Sequence, residues 1–311
     1  MRPLAVIGHL SRDVVAGGPP KIGGGTWHGA RAFRGLGLAA TIFAKCGEPE
    51  RRDFQRKLVA CGLPSTLAIG ETTTGFSFSY DDAGIRTMHV EALGDPWQPR
   101  EASPDLMRRI DWLQVAPLLR SDFDAATLAE LARGRRILLD GQGLVRVPAV
   151  GPLTLDDDFD RELLRHVTIL KLAEEEAHAI IGDAELESLA SLGVPEIIVT
   201  FGLDGSLVLT RGTATRVAAH PVQADPTGAG DAFGAAYLAA RAAGHAPVSA
   251  ARRAIAPSAA CHAPGTATRS TTWTRAPVSS RSSAHAAIGS PRSTTTNAGS
   301  RRAGDSTKRH V

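Results

Sequence analysis

Short aliphatic runs alternate with helical signals along most of this chain, and that alternation constrains its fold more than any other feature. Strands are expected at Leu4–Ile7, Ala40–Ala44, Trp112–Val115, Ile137–Asp140, Thr168–Leu170, Ile197–Phe201 and Ser206–Leu209. Helices are expected at Thr26–Gly37, Glu50–Cys61, Asp122–Arg133, Asp157–Arg165, Ala173–Ile181 and Gly228–Ala243. The strand runs are apolar throughout, as strands are when covered on both faces. The reading is therefore α/β, a mostly parallel sheet with helices on both sides. One segment departs from it. Residues Thr73 to Tyr80 alternate with period two, Asp81-Asp82-Ala83-Gly84 turns, and Ile85–Val90 returns, which is a hairpin with one exposed face.

The chain has 311 residues, enough for one large α/β domain and a small appendage or for two ordinary domains. No run approaches the ~18–20 apolar residues of a membrane span, and the start reads as a buried strand rather than a secretory leader. The three cysteines, Cys46, Cys61 and Cys261, give neither a disulfide framework nor a metal pattern, so a reducing cytoplasm is expected. The net charge of +3 hides an asymmetry: residues 239–311 carry eleven Arg or Lys and the single acid Asp305. The body before them is mildly acidic. Those last 73 residues contain no Leu, Phe, Tyr or Glu, and such composition does not offset ordering entropy, so disorder is expected there. The tail has no aromatic interleaving beyond Trp273, so no nucleic-acid partner is expected.

The most informative run for chemistry is Asp225-Pro226-Thr227-Gly228-Ala229-Gly230-Asp231-Ala232-Phe233-Gly234. Gly228 and Gly230 can take backbone angles that let successive amides converge, and the helix that follows adds its positive end. Such a nest suits a phosphate oxygen. Asp231, in the first turn, can accept a proton from a hydroxyl attacking that phosphate. The plainer alternative is a small-residue helix start with a carboxylate favourable to the dipole.

This run resembles the C-terminal motif of the ribokinase-like, PfkB-type carbohydrate kinases, with Pro226 where that family usually has Thr. The resemblance spans roughly residues 1–255 and implies a ribokinase-like fold whose small β lid comes from about 12–22 and 72–92. It implies Asp231 as catalytic base, the Gly228, Ala229 and Gly230 amides as anion hole, and ATP with magnesium as donor. Gly23-Gly24-Gly25-Thr26-Trp27-His28 is similar to the family's N-terminal Gly-Gly motif, so Gly24, Gly25 and His28, the last in place of an Asn, are implied sugar contacts. Asp13 stands where the family binds two sugar hydroxyls. Glu176 matches the Glu that holds magnesium through water, with Ala173 replacing the usual Asn. Lys171, Thr200, Gly202, Gly205 and Thr227 are implied ATP contacts.

A monovalent cation such as K+ near Asp225 is implied by likeness as well, and a homodimer is the expected assembly. Three strings, Gly8 to Val14, Asp140 to Arg146 and Leu170 to Ala177, are closer to myo-inositol kinase-like members. The expected activity is ATP-dependent phosphorylation of a sugar or polyol hydroxyl. The alternatives are a nucleoside or pyrimidine-alcohol kinase of the same fold, and an inactive product with a damaged C-terminus. The family would place a helix near Ala250–Ala263. Pro257 falls inside it, where a proline removes a hydrogen bond and clashes. A frameshifted or degenerated end is therefore expected to begin between about Val248 and Pro257, leaving 256–311 outside the domain.

Overall fold

The computed structural model describes residues 3–80, 86–101, 104–219 and 228–260. Its first strand, β1 (Leu4–His9), is buried at every position. One residue later the chain enters β2 (Ser11–Val15), then β3 (Lys21–Gly23) and helix α1 (Gly25–Gly35). Next come β4 (Ala40–Gly47), α2 (Arg51–Cys61), β5 (Ser65–Gly70), β6 (Thr74–Tyr80), β7 (Arg86–Ala92) and the short α3 (Pro104–Met107). The middle holds β8 (Trp112–Ala116), α4 (Ala125–Ala132), β9 (Arg136–Asp140), α5 (Gln142–Val145) and β10 (Gly151–Pro152). The remainder is β11 (Ile169–Ala173), α6 (Glu174–Ile181), β12 (Glu196–Thr200), β13 (Ser206–Thr210), β14 (Thr213–Val217), α7 (Ala229–Ala242) and α8 (Pro247–Ala260).

A nine-stranded sheet runs β14-β13-β12-β11-β9-β8-β1-β4-β5. The strands from β12 to β5 pair in parallel, and β13 and β14 add an antiparallel edge. Successive residues of a strand face opposite sides, so one strand feeds two cores. In β1, Leu4 and Val6 pack with Phe33 of α1, Phe54 of α2 and Phe233 and Tyr237 of α7. Ala5 and Ile7 point the other way, toward Leu128 of α4 and Ala177 of α6. The fold class is therefore the expected α/β one, a mostly parallel sheet with helices on both faces. A second, five-stranded sheet runs β10-β7-β6-β2-β3, and its apolar side, with Phe76 and Val90, packs on Leu118 and Leu119. The β6–β7 pair is the expected hairpin, bulged between Gly75 and Phe76. Its turn residues 81–85 lie outside the described residues.

Several elements differ from the sequence reading. The helix expected over Asp157–Arg165 is a 3-10 helix at Arg161–His166, because the Asp160 carboxylate caps at once by accepting the Glu162 N–H at 2.9 Å. The helix expected from Asp122 starts at Ala125, since Asp122 turns inward to accept the Leu118 N–H at 2.6 Å and Asp124 becomes the cap. The edge strands β5 and β14 were not expected: β5 has only Leu67-Ala68-Ile69 as an apolar stretch and no fully buried position, and β14 is mostly exposed. Finally, α8 continues through Pro257 to Ala260. Ala250, Ala251 and Ala254 are fully buried in the main core, so ordered packing extends to Ile255. A proline in the last turn forfeits one bond, which the packing upstream outweighs.

At the end of the sheet away from the strands' C-termini, Glu196 at the start of β12 is buried and clamps α7. Arg241 Nε donates to it at 3.1 and 3.2 Å and Nη2 at 3.0 Å, and the Tyr237 hydroxyl donates as well. Removing one partner of such a network strands a buried charge. Arg241→Ala is expected to lower stability by about 3 kcal/mol, read as a drop in denaturant midpoint. The Glu196→Gln/Arg241→Met double variant should lose less than the single one.

Candidate active site

The parallel strands deliver their C-terminal ends to one edge, where open α/β sheets gather ligands. Asp140 ends β9 and Lys171 lies in β11, directly opposite it in register. Both are buried, and Lys171 Nζ stands 3.2 and 3.4 Å from the Asp140 carboxylate oxygens. The strand β11 runs straight into α6, so Glu176 falls in that helix's first turn and its Oε2 accepts the Ala173 N–H at 2.8 Å. Facing them is the start of α7. Its cap, Gly228, is left-handed (φ 76°), which turns the chain sharply into the helix. The first amides of α7 have no intrahelical acceptor.

Three close approaches knit the site together. A methyl group at Gly25 would lie 2.7 Å from Asp231 Oδ1. One at Gly230 would lie 3.0 Å from Lys171 Nζ, and one at Gly228 would lie 2.4 Å from His28 Nδ1. The N-terminal glycine cluster therefore touches the catalytic-base candidate, and the glycine turn of α7 rests between the lysine and the histidine. Beneath it Gln114, fully buried in β8, donates from Nε2 to the Asp231 carbonyl at 3.4 Å. On the opposite side His9 fixes the end of β1, with Nε2 2.8 Å from the Asp95 carbonyl and Nδ1 3.1 Å from Asp122.

The charges follow from this packing. Burial would lower the Lys171 pKa, but the carboxylates of Asp140, Glu176 and Asp231 outweigh it and hold the ammonium above its ordinary value. Burial raises Glu176 to about 7, with Asp140 adding to it and Lys171 and Arg146 opposing. Asp231 is raised to about 7 in the same way, first by burial and then by Asp140, against Lys171 and Arg146. The arrangement holds two carboxyls poised near neutrality around a fixed cation, which is suited to moving one proton beside an anion.

A family model described as pfkB family carbohydrate kinase matches residues 21–273. The chain belongs to that family. It is 35% identical over 261 residues to the inositol 3-kinase of Zea mays, covering 75% of this chain and 65% of that one. The inositol 3-kinase of Oryza sativa subsp. japonica is 29% identical over 260 residues, covering 75% and 61%. The chain thus spans a little under two thirds of the length of these relatives. Among solved structures, a pyrophosphate-dependent kinase in the ribokinase family complexed with a pyrophosphate analog and myo-inositol superposes with a TM-score of 0.72. It is 23% identical and covers 83% of this chain and 94% of its own. A putative ribokinase II from E. coli in complex with ATP and Mg2+ superposes at 0.62, with 19% identity and coverage of 83% and 92%.

Within this pfkB chain the structure brings Asp231, Gly228, Ala229, Gly230, Lys171, Glu176, Gly25 and His28 into one cluster. Gly24 (φ 94°) lies where a methyl group would meet the His9 carbonyl at 2.7 Å, so the crossing of chains already requires glycine there. Asp13 stands on the small sheet, folded over Gly23 of the neighbouring β3. Thr200 ends β12 beside Ala173 and donates its hydroxyl to the Leu172 carbonyl at 3.1 Å. Gly205 (φ 95°) is held by the close Val217 carbonyl, while Gly202 is exposed. Thr227, Asp225 and Cys261 lie outside the described residues. Gln114 was not among the expected site residues, while Asp140 and Arg146 delimit one of the strings singled out in the sequence, with no role given to either. A polar residue inside or ending an apolar strand run was the signal available for Asp140 and Gln114.

Because the folded Asp231 carboxyl keeps its proton to about pH 7 while the unfolded chain ionises near the ordinary carboxylate value, ionisation opposes folding across that window. Stability from this group is present at low pH and lost as pH rises to 7. Asp231→Asn should therefore melt higher than the wild type at pH 8, with the gap narrowing toward pH 5. Thermal scans at the two pH values check this, and a gap independent of pH contradicts the assignment.

Proposed function

We propose that the protein transfers the γ-phosphoryl group of ATP to a hydroxyl of a polyol, with myo-inositol the first candidate acceptor. The observation that carries this is the meeting of Asp231 with the Gly228–Gly230 turn, Lys171 and Gly25 at the ends of the parallel strands. The acceptor is suggested by the curated inositol 3-kinase relatives.

In this reading the acceptor hydroxyl lies against Gly25, and Asp231 takes its proton as the oxygen bonds to phosphorus. The bond from phosphorus to the leaving nucleotide oxygen breaks, and the Gly228, Ala229 and Gly230 amides meet the charge that develops. Asp13, Gly24 and His28 orient the acceptor, and Thr200, Gly202, Gly205 and Thr227 border the nucleotide. Among the described residues no cluster of three His, Cys, Asp or Glu forms a metal cage. The donor set instead fits magnesium held chiefly by phosphates and water: hard carboxylate oxygens are present, and one oxygen of Glu176 is already engaged by a backbone N–H. Glu176 is the residue to hold that water, and a bound magnesium ion would neutralise donor charge. Residues 1–255 make up the kinase domain, and the basic stretch 256–311 takes no part in transfer.

The test is turnover by the full-length protein with magnesium, pairing ATP or pyrophosphate with myo-inositol, ribose, fructose and nucleosides. Transfer from ATP to myo-inositol is expected, with kcat reduced by roughly 1,000-fold or more in Asp231→Asn. Preference for a nucleoside would move the acceptor class, and preference for pyrophosphate would move the donor. No transfer by folded protein would favour a catalytically inactive product.

A further inference from the structure

His9 takes no part in the transfer described above, yet it is buried with both ring nitrogens facing acceptors. Nε2 lies 2.8 Å from the Asp95 carbonyl, which can only accept, so that nitrogen carries a hydrogen. Nδ1 faces Asp122 Oδ2 at 3.1 Å. The same oxygen accepts the Leu118 N–H at 2.6 Å, so it too acts as an acceptor. A lone pair on Nδ1 would meet another lone pair there, whereas an N–H meets it favourably. The geometry therefore calls for the imidazolium. Burial alone would drive the His9 pKa down, but Asp122 and the Asp95 carbonyl outweigh it and hold it above its ordinary value, with Lys45 opposing. Lys45 is itself tied to the Pro96 carbonyl at 2.9 Å and to the Glu101 carboxylate at 2.7 Å. The rings of Trp97 and Phe123 pack edge-on against the imidazole.

This ring sits where the chain passes between the two sheets. Leu10 alone joins β1 to β2. The chain leaving β3 for α1 crosses over the His9 carbonyl at Gly24. The passage from β5 to β6 is held by the Asp95 carboxylate, which accepts the Glu71 and Thr72 N–H groups at 2.7 and 2.9 Å. The passage out of β7 runs through Asp95 to Trp97, whose N–H donates to the Asp122 carbonyl at 2.8 Å. We infer that His9 is a positioning residue: as an imidazolium it pins the small sheet, and Asp13 with it, to the ends of the large sheet, and acceptor binding weakens when its proton is lost. The effect on the acceptor rests on the kinase reading, whereas the pin itself does not. Asp13 follows four residues later on β2, while Lys171 and Asp231 stand on β11 and α7, outside this hydrogen-bonded network. The loss is therefore expected in acceptor binding rather than in the chemical step.

The experiment titrates full-length protein labelled with 15N-histidine by NMR, with His9→Gln identifying the signal. His9 is expected to stay doubly protonated at pH 7.5, above the ordinary histidine value of about 6.5. Hydrogen exchange of residues 11–15 and 71–74, corrected for its intrinsic pH dependence, and steady-state transfer to myo-inositol are followed from pH 6 to 9. At pH 6.5, His9→Gln is expected to raise acceptor KM about tenfold with kcat within about threefold, and to speed exchange in both segments about tenfold. The His9→Gln/Asp122→Asn double variant, which leaves no unmatched carboxylate, should recover part of both. In the wild type, acceptor KM and exchange should step up as pH rises through the His9 transition, a step absent from His9→Gln. The pin is whole below the unfolded histidine value and lost above the folded one. If His9→Gln does not fold, Asp122→Asn takes its place, moving the transition to lower pH. A neutral His9 at pH 7.5 overturns the proposal, as does a folded His9→Gln whose acceptor KM or exchange matches the wild type's, or a loss confined to kcat. Wild type that phosphorylates no acceptor, yet shows the exchange step at the His9 transition, would sink the kinase reading and leave the pin standing.

Discussion

The ion pair between Lys171 and Asp140 is the interaction on which the site depends. Neighbouring parallel strands place the two residues side by side in register, and both are almost fully buried. Burying two charges in this way is costly, and an apolar pair of the same volume would serve the sheet as well or better. What the pair supplies is a fixed electrostatic frame. Lys171 holds its ammonium beside the Gly230 turn, and Asp140 adds the negative field that, with burial, lifts Asp231 and Glu176 toward neutrality. Without it, the start of α7 would be an ordinary small-residue helix end.

Glycine makes the frame close. At Gly25 and Gly228 a single methyl group would collide with Asp231 or His28, and at Gly230 it would crowd the Lys171 ammonium. Small residues let α1 and α7, which pack on the same face of the large sheet, bring their N-termini together. The left-handed Gly228 cap and the Gly24 crossing over the His9 carbonyl are the backbone conformations that this approach requires. The same glycines that weaken a helix as an isolated segment are what allow a ligand, or an adjacent side chain, to reach its amides.

Much of this was legible in the sequence, for reasons that differ by element. The fully buried strands of the large sheet announce themselves as apolar runs because both faces are covered, and the glycine-acid run at 228–231 states a turn and a helix start in four residues. The edge strands β5 and β14 announce themselves less, since only Val217 among their residues is fully buried. Long-range partners are invisible to local pattern. Nothing near Asp140 says that Lys171 lies beside it thirty-one positions later, and only the parallel register makes the pair. Proline misled at position 257 because its local cost was weighed without the packing of Ala250, Ala251 and Ala254.

The two sheets divide the candidate residues in a way that bears on how one fold can serve several acceptors. Asp140, Lys171, Glu176 and Asp231 sit on the ends of the large sheet and its helices, where register and burial leave little room for change. Asp13 lies on the small sheet, one step past β1, and Arg146 on the connection from α5 toward β10. These latter positions hang on short segments that cross between the sheets, so substitution there need not disturb the core. In this reading the phosphate chemistry belongs to the rigid sheet ends and acceptor choice to the crossings.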